Sequence, residues 1–397
     1  MTLPIQNVLY LAPESTYNVN PSAAGSGFLY VPATQLSLLA DDREILETNY
    51  FVGRGYRTAH EPGASAWSLS CSVPLHCLES MAGTGVNAST IADDVLDMLL
   101  NHILGTRSTT AGVGLASGTG GAGVLVADSS GFALQQAILV GYASASRGSV
   151  HQVTVASAAP SYTIRPYLPE TIDTNWESAG GKHWQPTLGL TSSLAAFYRR
   201  GSQWYACTGG KVTAAKISAT RNQAYSLDLT IRGVTIARSS APGSIPAAVP
   251  PTRNRLVHTR AAIAIGTTVI DNDGFEFDFG LTAEQVPASH VADGVSADET
   301  VAINPTLTVR PMWSTALEDL KSAGTVSQVA MSLGSGVYAL GRANAMGLVL
   351  PGMQVENANT TDQRGREHHD LRLVLADTIA PAADAAASAR IFTLSRF

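Results

Sequence analysis

The chain has 397 residues, 45% of them hydrophobic, which is enough for two or three domains with real cores. Charged residues make up only 14% and the formal net charge is −6, which argues against a protein that grips nucleic acid through clustered Lys and Arg. No apolar run approaches the roughly 18–20 residues of a membrane-crossing helix, and three cysteines, Cys71, Cys77 and Cys207, give no disulfide framework.

The opening Met1-Thr-Leu-Pro-Ile-Gln-Asn7 lacks the basic and apolar regions of a secretory leader, so a chain assembled in a cytosol is expected. The low charge and the excess of Gly, Ser, Thr and Ala fit a surface largely covered by copies of itself, although ordinary compositional drift reads the same way.

Residues 1–50 mix short apolar runs with Pro4, Pro13, Pro21 and Pro32 and read as an extended arm with one or two strands. Asn49 to Gly63 shows turn signals and little periodicity, as in a long loop or loose hairpin. Trp67-Ser-Leu-Ser-Cys-Ser-Val73 alternates cleanly: Trp67, Leu69, Cys71 and Val73 share one face, and Ser68, Ser70 and Ser72 the other. A helix is predicted next, capped by Thr90 with Asp93 at capping-box spacing, carrying an apolar stripe through Ile91, Val95, Leu96, Met98, Leu99 and Ile103, and stopped by Gly105.

Residues 106–178 change character. A glycine-rich, uncharged run is followed by short strands at Ala137–Val140, Val150–Val155 and Tyr162–Arg165, the pattern of a small inserted β domain, barrel or meander. Residues 179–240 return to longer strands. Gly210 to Gly233 predicts a hairpin turning near Arg221-Asn222, with Leu227, Leu229 and Ile231 on one face and Ser226, Asp228, Thr230 and Arg232 on the other. Residues 241–252 form a Pro-rich linker, extended and semi-rigid. In the remaining 253–397, Thr306-Leu-Thr-Val-Arg310 predicts a strand, Thr315-Ala-Leu-Glu318 a capping box with Gly324 as the stop, and Leu348 to Leu375 a hairpin turning between Thr360 and Gly365.

Strand, capped helix and strand thus occur twice, in the same order and at similar spacing once 106–178 is lifted out. Neither copy carries recognisable chemistry. Gly118-Thr-Gly-Gly-Ala-Gly123 lacks the strand before and helix after that a phosphate loop needs. Glu367-His-His-Asp370 places adjacent histidines on opposite strand faces, where one metal ion cannot take both. The carboxylate pairs Asp41-Asp42, Asp93-Asp94 and Glu318-Asp319 sit at turns and helix starts, where the macrodipole explains them. No nucleophile elbow or zinc-protease motif is present, so no enzyme activity, cofactor or metal is expected.

Three stretches resemble the tail tube (major tail) proteins of long-tailed bacteriophages: Cys207 to Gly233, Phe132 to Ile164, and Asn304 to Pro311 with the helix that follows. The resemblance covers most of the chain. It implies a mainly β fold: two tail-tube-like β-sandwich or barrel folds, each with a flanking helix, plus the small inserted β domain. It further implies a structural virion protein, assembled in the host cytoplasm, whose rings stack into a tube that conducts DNA during ejection. With two folds per chain, a trimer makes a pseudo-sixfold ring. Partners implied are other copies, tape-measure and tail-end proteins, and DNA passing without specific binding.

On that reading the lumen-lining candidates are Ser68, Ser70, Ser72, Ser226, Asp228, Thr230 and Arg232, with Thr306, Thr308, Arg310, Asp370 and Arg372 from the second half. The loop offers ring-stacking candidates Tyr50, Phe51, Arg54, Tyr56, Arg57, His60 and Glu61. The alternative is a β-rich adhesin or carbohydrate-binding module using Trp176, Trp184 and Trp204 as aromatic platforms, predicted to be a monomer.

Overall fold

The structure is a computed structural model. It describes the chain apart from residues 1–6, 24, 41–44, 48–59, 63–66, 79–90, 114, 119–123, 128–136, 143–146, 157–160, 166–175, 250–254, 259–261, 267, 288–294, 313–314, 335–344, 364–365 and 377–390. Among the described residues the fold is mainly β, built from antiparallel sheets with two helices.

The first part of the chain gives β1 (Asn7–Pro13), β2 (Leu29–Val31), β3 (Gln35–Ala40), the small hairpin β4 (Ile45–Glu47) and β5 (His60–Pro62), then β6 (Trp67–Pro74) and helix α1 (Val95–Leu104). After β7 (Gly105–Thr109) comes a separate six-stranded sheet of β8 (Leu115–Gly118), β9 (Val124–Ala127), β10 (Ala137–Tyr142), β11 (Arg147–Ala156), β12 (Ser161–Arg165) and β13 (Trp176–Ala179). It has its own small core of Leu115, Leu125, Ile138, Val140, Tyr162 and Ile164. β7, inside the segment 106–178, pairs instead with β14 (Lys182–Pro186) in the main sheet. Then follow β15 (Leu194–Arg200), β16 (Gln203–Thr220), β17 (Ser226–Gly233) and β18 (Thr235–Ser239).

The second part gives β19 (Ala262–Ile265), β20 (Thr268–Ile270), β21 (Asn272–Asp278), the hairpin β22 (Leu281–Pro287) and β23 (Val295–Ile303), β24 (Thr306–Pro311) and α2 (Thr315–Ser322). It ends with β25 (Val326–Leu333), β26 (Met346–Gln363), β27 (Arg366–Leu375) and β28 (Thr393–Arg396).

The two parts repeat one another pairing by pairing. In the first, β2 pairs with β1, β1 with β15, β15 with β16, β16 with β17 and β18, β17 with β6, and β6 with β3. In the second, β20 pairs with β19, β19 with β25, β25 with β26, β26 with β27 and β28, β27 with β24, and β24 with β21. The long strands β16 and β26 change partners midway, so each belongs to two layers. β16 bulges between Val212 and Ala214 and β26 between Val355 and Asn357, which lets a strand bend from one layer to the next. One apolar core runs beneath both parts, from Leu69, Leu229 and Ile231 to Phe277, Leu307 and Leu373.

The parts meet where β16 pairs with β21, and again where β28 pairs with β14. Among the described residues the main sheet does not close into a barrel, contrary to the barrel alternative expected from the resemblance. In the first part the paired run ends at β2 on one side and β3 on the other, and among the described residues these two do not pair with each other.

Helix α1 begins later than its sequence predicts. The cap is Asp94: its side chain accepts the Asp97 N–H at 2.9 Å, and the Asp97 carboxylate takes the Asp94 N–H in return, a full capping box. Thr90, the expected cap, lies outside the described residues. Gly105 ends the helix at a φ of 86°, which an L side chain rarely adopts. Gly324 similarly follows α2 at 59°, and Asn222 takes a left-handed φ of 64° in the turn between β16 and β17. Of the Pro-rich linker, the part up to Val249 carries no strand or helix, and Ile245 packs against the cluster of Tyr10, Phe28 and Phe197.

Candidate functional site

The alternation that buries one face of these strands leaves the other polar, and the strand order makes that polar face continuous. Crossing from the first part to the second at one level, Gln35 stands opposite Ser72, Ser72 opposite Asp228, and Asp228 opposite Lys216. Lys216 then faces Asp278, Asp278 faces Thr306, and Thr306 faces Val374. One level along, Ser226, Ser218, Glu276, Thr308 and Arg372 stand side by side. All the predicted lumen residues therefore share one face: Ser68, Ser70, Ser72, Ser226, Asp228, Thr230, Arg232, Thr306, Thr308, Arg310, Asp370 and Arg372 are half-buried or exposed, while their chain neighbours Leu69, Cys71, Leu227, Leu229, Ile231, Leu307, Val309, Leu371 and Leu373 are buried.

The face is not flat. A hollow of 560 Å³ lies over Gln35, Ser70, Ser72, Lys216, Asp228 and Asp278. A second of 420 Å³ spans the β16–β21 joint farther along, over Ser218, Thr220, Ser226, Glu276, Thr308 and Arg310. The right-handed twist of neighbouring strands, increased at the bulges, accounts for such curvature.

Charges on this face neutralise one another. Lys216 Nζ lies 3.3 Å from Glu276, Arg310 Nε 3.2 Å from Asp370, and an Arg372 guanidinium nitrogen 2.9 Å from Glu356. The Ser218 hydroxyl donates to Asp228 at 3.3 Å. Beneath the face, burial and then the Asp228 carboxylate push the Cys71 thiol up to about 12, so it stays a protonated, unreactive core group. Sequence alternation missed the part played by Gln35, Lys216, Ser218, Glu276, Asp278 and Glu356. The signal was present in Lys216-Ile-Ser-Ala-Thr220 and Glu276-Phe-Asp278, which alternate as cleanly as Trp67–Val73.

Other predicted residues fall elsewhere. His60 and Glu61 lie on β5; Tyr50, Phe51, Arg54, Tyr56 and Arg57 lie outside the described residues. His369 is buried and its neighbour Asp370 is on the polar face, so successive residues of that strand do point to opposite sides. Among the described residues no group of three or more His, Cys, Asp or Glu side chains is placed to hold a metal ion. Trp184 is no platform: it is fully buried, with its indole N–H donated to Asn101 at 2.7 Å. Trp204 is half-buried, with the Arg199 guanidinium 5.9 Å from its ring centroid.

A second polar cluster, invisible to sequence reasoning, is structural. Arg396 on β28 is wholly buried; its two terminal nitrogens meet the two Asp94 oxygens at 2.9 and 3.0 Å, and one of them also meets Asp97. Buried Lys182 reaches Asp97 and Asp93, both at 2.8 Å, and Asp93 also takes Arg107 at 2.6 Å. Burial works against the charged forms here. The net directions still favour ionisation: the Asp93 carboxyl is lowered by Arg107 and Lys182, and the Arg396 guanidinium is raised by Asp94 and Asp97. No known protein-family model matches this chain, and neither does any curated protein sequence.

Proposed function

We propose that this chain is a tail tube subunit of a long-tailed bacteriophage, a structural virion protein whose polar sheet face lines the channel for DNA. The observation that carries the reading is the continuity of that face across two repeated halves joined edge to edge through β16 and β21. A wall for DNA needs small polar side chains and little net charge, because a basic wall would hold phosphates and an acidic one would repel them. The serines and threonines of β6, β17 and β24, with the paired charges of Lys216, Arg310 and Arg372, meet that need. On this reading each half is one tube fold, three chains make a pseudo-sixfold ring, and rings stack with tape-measure and tail-end proteins at the tube's ends. Residues 50–66 and the N-terminal arm provide ring-to-ring contacts.

Negative-stain microscopy of the purified chain tests the assembly: rings or tubes are expected, and dispersed globules at high concentration would sink the reading. The lumen assignment has its own test. Reversing Asp228 and Arg232 together should slow DNA ejection from otherwise complete particles, and unchanged ejection kinetics would remove its support. Deleting residues 51–63 should leave rings that do not stack; full-length tubes from that deletion would refute the stacking role. The adhesin reading is weakened by the burial of Trp184.

A further inference from the structure

The chain closes the β16–β21 joint internally and, among the described residues, leaves the matching pair of edges unused. At the internal joint, Lys216, Ile217 and Ser218 of β16 face Asp278, Phe277 and Glu276 of β21. The repeat makes β26 the counterpart of β16, and β3 the counterpart of β21. The ladders fix the correspondence residue by residue. Ile217 faces Leu227, which faces Val73; likewise Ala358 faces Leu371, which faces Val309. Phe277 faces Leu307, and Leu36 faces Cys71. So Ala358 stands where Ile217 does, and Leu36 where Phe277 does.

Among the described residues β3 pairs only with β6, and β26 beyond Gln354 pairs only with β27. Burial differs accordingly. Ile217 and Phe277 are fully buried at the closed joint, whereas Leu36 and Ala358 are only partly buried although both pack against the core. Across the positions that would pair, 35–37 of β3 and 357–359 of β26, neither edge carries proline, lysine or a charged side chain, the usual protections of an edge strand that must stay single.

We infer that β26 of one copy pairs antiparallel with β3 of a second copy, with Asn357 opposite Ser37, Ala358 opposite Leu36 and Asn359 opposite Gln35. The contact is head to tail, so it leaves a fresh edge on each partner and propagates until it closes. It rests on the ring reading above only for closure after three chains; the pairing itself follows from the internal joint.

Cysteine cross-linking of the full chain tests it. Gln35→Cys with Asn359→Cys places two thiols on directly opposed, exposed positions, within the reach of a disulfide. Mild oxidation should give covalent oligomers up to a trimer, at least about tenfold more than the control pair Gln35→Cys with Gln354→Cys, whose partners would stand roughly 17 Å apart along the strand. The natural cysteines are all buried. Light scattering on unoxidised protein separates the outcomes. Oligomers that fail to cross-link in register overturn this pairing and leave the ring reading standing; a chain that stays monomeric overturns both. Hydrogen exchange of the unsubstituted chain is a second readout, in which amides of 36–38 and 357–359 should gain protection on assembly. Unchanged exchange there in assembled protein would equally overturn the pairing.

Discussion

The two repeats share their strand pairings and differ in how each holds its helix. α1 buries Leu96, Leu99, Leu100 and Ile103, and its N-terminus is gripped by Arg396 and Lys182. α2 is shorter, buries Leu317, and exposes Glu318 and Asp319. The cause lies in the last strand. β28 stays paired with β26, pairs along its other edge with β14, and delivers Arg396 to the N-terminus of α1. Its counterpart β18 pairs only with β16 among the described residues. The two parts thus share their strand pairings, and an ionic lock seen in the first part alone among the described residues ties β28 back to the first helix.

Breaking that lock is expected to have the largest effect. Asp97→Ala leaves Arg396 and Lys182 buried with part of their countercharge gone, which costs about 3–5 kcal/mol. The comparable change in α2, Glu318→Ala at an exposed position, should stay within about 0.5 kcal/mol. Denaturant unfolding of both variants measures the contrast, and equal losses would mean that the cluster does not hold the helix.

A smaller loss is expected where the first repeat alone uses a tryptophan. Trp67 is fully buried, donates its indole N–H to the Thr208 carbonyl at 2.9 Å, and lies over Gly210 and Gly233. A Cβ on Gly233 would overlap the ring, so Gly233→Ala should cost about 1–3 kcal/mol through overpacking. The same unfolding assay measures the loss, and a Gly233→Ala chain as stable as the natural one would show that the indole does not bear on that glycine.

These elements also separate what was legible in the sequence from what was not. The strands around Leu69, Leu229 and Leu307 could be read because each pairs along its whole length with one face buried, which writes a period of two. The helix stop at Gly105 could be read because a left-handed cap selects glycine. The full extent of β16 and β26 was hidden, since each bulges and changes partners, so its alternation is interrupted. Asp97 was hidden for a different reason. An acid within an apolar stripe reads as a solvent-facing residue, and the arginine that keeps it buried is 299 positions away.

Lys211 gives a pH-dependent contrast. It is buried on β16 and donates to the carbonyls of Leu190 and Ser192. Burial pushes its amine down to about 8, against the upward pull of Asp298 and Glu299 on the second repeat's hairpin. Its folded value lies below the unfolded one, so carrying the proton costs stability. That cost is fully present below pH 8 and is relieved as pH rises toward 10.5. Thermal melts of the natural chain and of Lys211→Met should therefore differ by a constant amount below pH 8, then shift in favour of the natural chain between pH 8 and 10. A difference that stays flat across that range would show that the amine is not held neutral by the fold.

The smallest effect is expected on the polar face, and its smallness is informative. Lys216 and Glu276 sit across the β16–β21 joint at 3.3 Å, and both are substantially exposed, so water screens their attraction. A double-mutant cycle with Lys216→Ala and Glu276→Ala should give a coupling of about 0.2–1 kcal/mol. The joint itself is held by the ladder and by Ile217 against Phe277, both fully buried. If the coupling instead exceeded about 2 kcal/mol, the pair would be an internal clamp like the one at Arg396, and the face would owe its charges to stability. A small coupling leaves those charges without a folding role, in keeping with the channel wall proposed above.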